Sequence, residues 1–180
     1  MSELEQVLLT EMLQWYRLQR HDCLNHWQVI MGNLQLNKAE KALEYMRETV
    51  IAPKEEQKIS LLVQPHLAGI LLGFVLRLRS ASVMASINYP EDMKKEEFWQ
   101  DHWREEYGEA LYGYTKECLE FVSNLAEGFA NSGYVSAAGR INGLNADIYL
   151  YDEPNGFSCQ FILEDDEKIL LDKTVTLEVS

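Results

Sequence analysis

The sequence predicts an α+β protein, a helical hairpin followed by a mixed α/β sandwich. Three observations carry this reading. Apolar residues recur at helical spacing from Leu8 to Leu34, and again from Ala42 to Val50. The region from Pro65 to Ala130 is mostly helical in pattern. The last third turns to strand alternation, as in Asp147-Ile148-Tyr149-Leu150-Tyr151-Asp152.

The first helix opens on Ser2-Glu3-Leu4-Glu5, a capping box with Ser2 as N-cap and Glu5 three residues on. Its periodicity runs to about Leu36, which gives a rod of roughly 50 Å at 1.5 Å per residue. That is longer than a small globule needs, so a protruding arm is expected. Asn37 and Lys38 mark a tight connection. A second helix begins near Ala39, turns Ala42, Leu43, Met46 and Val50 inward, and is interrupted at Pro53. Two helices with a short link form an antiparallel hairpin.

Pro65 starts a further helix through Leu67, Ile70, Leu71, Phe74 and Leu78. Ser82 to Tyr89 reads as a strand ending at Pro90. Glu91 to Ala130 is helical with breaks expected at Gly108 and Gly113, and Asn131-Ser132-Gly133 stops it. Strands follow at Ala146–Tyr151, at Phe157–Leu163 after the turn Glu153-Pro154-Asn155-Gly156, and at Thr174–Val179. The domain boundary falls after Leu62, giving a hairpin over 1–62 and an α+β domain over 63–180.

Two helices do not enclose an apolar arc as wide as this one. It takes in Leu8, Leu9, Met12, Leu13, Trp15, Tyr16, Cys23, Leu24, Trp27, Ile30, Met31 and Leu34. A second copy of the chain, giving a dimeric four-helix bundle, is the economical solution. Docking the arc on another domain of the same chain is the alternative.

Charge and cysteine content narrow the function classes. The chain has 16 Lys and Arg against 29 Asp and Glu, a formal net charge of -13, which argues against nucleic acid or an anionic membrane as main partner. Glu164-Asp165-Asp166-Glu167 reads as a solvated turn. Three scattered cysteines, Cys23, Cys118 and Cys159, make no C-x-x-C pair and no disulfide framework. No basic n-region with an apolar run opens the chain, and the longest apolar stretch is interrupted by Arg77. A reducing cytoplasm is the expected location.

On a helical wheel His21 falls opposite the centre of the apolar arc. Its neighbours one and two turns away are Gln14, Arg17, Asn25, Gln28, Gly32 and Gln35. None is a hydrophobe, so the imidazole faces water, either as a solvated bystander or as an exposed nucleophile. His26 is rotated about 140° towards the buried side.

Several chemistries lack their motifs. No two glycines stand two residues apart, which removes the dinucleotide fingerprint and the paired-glycine lids of many kinases. Gly108 and Gly113 have P-loop spacing, but Tyr114 stands in place of the lysine. His102 with Glu105 and Glu106 reads as helix surface beside Trp99 and Trp103 rather than as a metal site, and no cofactor is expected.

Arg20-His21-Asp22, Asn25-His26, Gln28-Val29-Ile30 and Gly32-Asn33-Leu34 resemble the phosphoacceptor box of citrate/malate-type sensor histidine kinases. With Pro65-His66-Leu67-Ala68 opening the third helix, the resemblance to the sporulation initiation phosphotransferase B family of spore-forming Gram-positive bacteria is closer still. It covers roughly Gln14 to Leu78.

The resemblance implies a cytoplasmic homodimer whose paired hairpins display one histidine per protomer. It implies that His21 takes a phosphoryl group from the aspartate of one response regulator and passes it to the aspartate of a second, in sporulation control. It implies a C-terminal domain similar to a degenerate histidine-kinase ATP-binding domain. Asn124 and Leu125 fit the asparagine-rich nucleotide box, but Gly128 stands where a second asparagine is expected, and Asp152-Glu153-Pro154-Asn155-Gly156 lacks the paired glycines.

Phosphoryl transfer relies mostly on in-line placement and charge neutralisation. The regulator would bring its own aspartates, lysine and Mg²⁺. The docking strip along the hairpin is expected to include Gln14, Arg17 and Leu18 on one side of His21, and Asn25, Gln28 and Gly32 on the other. Two alternatives stay open at this point: an autophosphorylating sensor kinase core, and a non-catalytic dimeric adaptor for response regulators.

Overall fold

The computed structural model describes residues 2–49, 54–132, 144–165 and 168–178. The chain divides into two compact units, Met1–Gln57 and Lys58–Ser180. The expected bend at Pro53 lies outside the described residues.

The first unit is the helical hairpin. Helix α1 spans Glu3–Gln35 and α2 spans Ala39–Thr49. The capping box forms as the sequence indicates: Glu5 N–H donates to Ser2 Oγ, and Ser2 N–H donates to the Glu5 carboxylate at 2.6 Å. The far end of α1 is closed by Asn37, which takes the left-handed conformation at φ 56°. Asn37 N–H donates to Leu34 O at 3.0 Å and Lys38 N–H to Asn33 O at 2.9 Å. This paired pattern satisfies the last carbonyls of the helix and turns the chain back sharply.

Packing between the two helices is one-sided. Ala42 is buried, but Leu43 is 54% exposed and Met46 also lies at the surface. The inward set expected of α2 is therefore smaller, and Val50 is outside the described residues. One α-helix offers a single stripe of contact, so the small Ala42 seats in it and its larger neighbours flank it. Along α1, Leu4 and Leu8 are buried, while Leu9, Leu13 and Tyr16, and then Leu24, Trp27, Met31 and Leu34, form an exposed apolar row at three- and four-residue steps.

Helix α3, Lys54–Ser60, runs across the division between the units. Within the second unit its end is tied to the first strand. Lys58 Nζ donates to Ile87 O at 3.0 Å and Tyr89 Oη donates to Lys58 O at 2.5 Å.

The second unit layers helices on one face of a four-stranded sheet. Helix α4 covers Pro65–Ser80, β1 Met84–Asn88, a 3₁₀ turn Glu91–Lys94, α5 Glu96–His102 and α6 Glu105–Ser132. Strands β2 Leu144–Glu153, β3 Gly156–Asp165 and β4 Lys168–Glu178 complete it. The order is β1-β2-β3-β4, with β1 parallel to β2 and the rest antiparallel.

Pro65 takes the first helical position behind the N-cap Gln64, as expected of a residue without an N–H. The end of α4 was not legible. Ser82, with φ 62°, closes it in the same manner as Asn37 closes α1, with Val83 N–H donating to Leu78 O at 2.9 Å.

The expected breaks at Gly108 and Gly113 do not occur, and both glycines lie inside a continuous α6. A helical glycine costs roughly 1 kcal/mol relative to alanine. Here Tyr107, Leu111, Tyr114, Cys118 and Val122 lie buried along one stripe of α6, and their burial outweighs that cost. The real break is at Trp103, whose backbone is extended and whose ring stacks on Phe157 at 5.9 Å.

The core fills the space between sheet and helices. Leu67, Ile70, Leu71, Phe74 and Leu78 of α4 and the α6 stripe are buried with Ile87, Ala146, Ile148, Leu150, Phe157, Phe161 and Leu163 of the sheet. Phe74 and Phe161 rings meet at 5.2 Å. Trp99, Trp103 and Tyr107 surround Phe157, and Trp99 Nε1 donates to Met93 O at 2.7 Å. Cys118 and Cys159 are buried free thiols, and burial pushes the Cys118 thiol up to about 11.

Strands β2, β3 and β4 reach beyond the alternation because the hairpin ladders extend to their turns, whereas β1 is shorter than the expected Ser82–Tyr89 because Ser82 closes α4. Glu153 pairs with Gly156 across the two-residue turn Pro154-Asn155. Gly156 faces the neighbouring strand so closely that an added Cβ would fall on the Leu177 carbonyl oxygen, with the Leu177 carbonyl carbon at 2.8 Å and Glu178 Cα at 2.9 Å. All three are backbone atoms and do not swing aside. Gly156→Ala should destabilise the second unit by about 2 kcal/mol or more, seen as a lowered midpoint in urea unfolding.

Candidate functional site

His21 sits mid-way along α1 with its side chain exposed. The helix that carries it is closed at both ends, by the Ser2–Glu5 box and by the turn at Asn37. Four residues on, Asn25 lies on the same face, and its Nδ2 stands 3.2 Å from His21 Nδ1. Residues four apart on a helix are surface neighbours, so this contact follows from the spacing alone. The amide therefore meets the imidazole itself, in addition to the partner-facing position expected for Asn25.

The remaining members of the expected strip share this side of α1. Gln14, Arg17 and Gln28 are exposed. Gly32 is half-buried, and an added Cβ there would meet nothing within 4 Å. The side chains of Leu18 and Asp22 lie outside the described set.

His26 is placed differently, as its rotation on the wheel indicates. It is half-buried, and its Nδ1 lies 2.8 Å from Tyr45 Oη on α2, with ring centroids 5.8 Å apart. That bond ties the two helices of the hairpin together and commits one ring nitrogen to α2. Of the two histidines in α1, His21 is the one on the open face.

The other two histidines belong to the packing of the second unit. His66 stacks flat on Trp103 at 6.2 Å. His102 stacks on Phe98 at 4.0 Å, with Nδ1 2.7 Å from Phe98 O and Nε2 3.4 Å from Asp152 Oδ1. Among the described residues no group of three His, Cys, Asp or Glu is arranged to hold a metal ion. No helix of the described residues is long and apolar enough to cross a membrane.

A family model described as the SpoOB-type sensor kinase alpha-helical domain matches residues 1–62. Sporulation initiation phosphotransferase B of Bacillus subtilis (strain 168) is 42% identical over 67 residues, 37% of this chain and 35% of that relative. The matched stretch thus spans about a third of the relative's length.

The matched segment takes in α1, α2 and α3, and so contains His21 and the whole expected docking strip. Beyond it, the nucleotide-box positions have their own geometry. Asn124 is exposed on α6, at the rim of an open depression of about 340 Å³ shared with Arg77, Lys116 and Glu120. Asp152 to Gly156 is taken up by the β2–β3 hairpin, where Gly156 serves a close approach of two strands.

The bond between Asn25 and His21 is the feature that the sequence reasoning passed over. Its signal was present as the i,i+4 spacing. The His26–Tyr45 tie had no such signal, because its partners are 19 residues apart on different helices.

Proposed function

We propose that this chain is a phosphorelay histidine phosphotransferase. His21 accepts a phosphoryl group from the aspartate of one response regulator and delivers it to the aspartate of a second, in sporulation control. The observation that carries this reading is an exposed histidine on the open face of a SpoOB-type helical hairpin. The similarity to a protein named sporulation initiation phosphotransferase B supports it.

The chemistry fits so spare a site. Imidazole is a competent nucleophile through a nitrogen lone pair. In-line placement and neutralisation of phosphoryl charge supply most of the catalysis, and a response regulator brings its own Mg²⁺ and lysine. The transferase presents His21 along the helix α1, and Gln14, Arg17, Leu18, Asn25, Gln28 and Gly32 flank it as a docking strip. The protein needs no cofactor of its own.

A second copy covers the apolar row of α1, and two hairpins form a four-helix bundle with two His21 side chains outside it. The C-terminal unit is a degenerate kinase-like domain that does not phosphorylate His21 from ATP. Its partners are response regulators and its own second copy, rather than nucleic acid or a membrane, and it works in the cytoplasm.

Incubation with a ³²P-labelled phosphorylated response regulator, and separately with labelled ATP, tests the reading. Label on the protein from the regulator and none from ATP is the expected result. Label from ATP would indicate an autophosphorylating kinase core. No label from any of a panel of regulators would leave a docking adaptor and overturn the phosphotransfer mechanism.

A further inference from the structure

We infer that Arg17 is a phosphate-binding residue, whose guanidinium holds the phosphoryl group while His21 carries it from one regulator to the next. That role rests on the reading of His21 as phosphoacceptor, and it gives the site a cation of its own.

Two observations point to it. The first is position. Arg17 is exposed and stands four residues before His21 on the same face of α1. Residues four apart on a helix have Cβ atoms about 5–6 Å from each other. Helical side chains lean back towards the N-terminus, so a group borne by residue 21 comes over the turn that carries Arg17. The Asn25 amide meets the ring from the following turn.

The second observation is charge. Acids outnumber bases 29 to 16 in the whole chain. Between Met12 and Leu36 the balance reverses, with Arg17 and Arg20 against Asp22 alone. The residues three or four away from Arg17 are Leu13, Gln14, Arg20 and His21, and none is acidic. Paired charges on a helix surface stand at those spacings. An acidic chain thus keeps a cation beside its exposed histidine without a carboxylate of the same row to offset it.

An anionic phosphoryl group is the ligand this arrangement fits. A side-chain phosphoryl group carries about −1.5 to −2 at pH 7. In transit it is parted from the Mg²⁺ and lysine of either regulator. A guanidinium offers a planar fork of N–H donors that meets phosphoryl oxygens two at a time. On loading, a ring nitrogen lone pair of His21 forms the N–P bond. The P–O bond to the donor aspartate breaks, its electron pair stays on the carboxylate, and the ring becomes cationic. Arg17 takes no part in these bond changes. It binds the phosphoryl oxygens afterwards and releases them to the second regulator's Mg²⁺.

The test uses the full chain without any regulator. Phosphoramidate, a small donor whose P–N bond breaks to release ammonia, loads His21, and ³¹P spectra follow the phosphoryl group through a pH titration. The His21→Gln chain identifies the signal by its loss. A neighbouring cation favours the more ionised phosphoryl group, so Arg17 holds its second pKa down. Arg17→Gln should raise that pKa by about half a unit, the effect of a unit charge roughly 6 Å away in water. Salt at about 1 M should remove most of the difference. Arg17→Lys keeps the charge and should stay within about 0.2 unit of the unmodified chain. Arg20→Gln removes the same charge about 100° around the helix from His21, and should shift the pKa less than half as far. Both arginines are exposed, so these variants keep the fold.

An unchanged phosphoryl pKa in Arg17→Gln would overturn the inference, and with slowed transfer from a regulator it would make Arg17 a docking contact alone. Equal shifts in Arg17→Gln and Arg20→Gln would overturn it too, because the general field of the helix would then be the cause. If regulators never label the unmodified chain while the pKa responds as expected, the relay reading falls and the phosphate-binding role stands.

Discussion

His21→Gln should abolish phosphoryl transfer from a regulator, with label falling to background while the protein stays folded. The substitution removes both ring nitrogens and keeps a neutral polar side chain of good helix propensity. The site is exposed on the surface of α1, so the change in folding stability should stay within about 0.5 kcal/mol. Loss of labelling without loss of structure is then a chemical effect, read by circular dichroism and gel autoradiography on the same sample. His26→Gln is the matched control. It should keep labelling but loosen the hairpin, since its partner Tyr45 is on α2. Transfer surviving in His21→Gln would remove the histidine mechanism altogether.

The second large effect concerns the assembly. Trp27 is 56% exposed, and Leu24, Met31 and Leu34 extend the apolar row on either side of it. A row of this kind left in water is costly, and in the proposed dimer a second copy of the hairpin would cover it. Trp27→Glu removes one large apolar side chain per protomer and puts a carboxylate in its place. At about 2 kcal/mol per buried side chain, the dimer loses on the order of 4 kcal/mol, roughly a thousandfold in dissociation constant. Analytical ultracentrifugation at micromolar concentration should show dimer for the unmodified chain and monomer or aggregate for the variant. A stable monomer of the unmodified chain would count against the four-helix bundle.

How much was legible in the sequence depends on how local each signal is. The capping box at Ser2, the start of α4 at Pro65 and the turn after Glu153 are written in three or four consecutive residues, and each forms as expected. The α6 helix was misjudged because local glycine propensity was weighed without the buried stripe from Tyr107 to Val122, which only the sheet supplies. Ser82 ending α4 in a left-handed conformation is also a tertiary outcome, since serine carries a much weaker preference for it than glycine. At the candidate site, the exposure of His21 was readable from periodicity. The approach of Asn25 was readable in principle from spacing, whereas the Tyr45 tie to His26 required the hairpin to be closed.

The parallel pairing of β1 with β2 bears on the order in which the second unit assembles. Strands β2, β3 and β4 form a meander whose turns join neighbours in sequence. Met84 meets Asn145 only after the whole length of α5 and α6 has intervened. Closing so long a loop carries an entropic penalty that the two hairpins avoid. The meander should therefore form before β1 pairs with its edge. Because Lys58 reaches the carbonyl of Ile87 in β1, the end of α3 is anchored on the strand whose pairing costs the most loop closure. The segment that leads out of the hairpin should thus be secured late, and in pulse-labelled hydrogen exchange its amides should gain protection after those of β2 and β3.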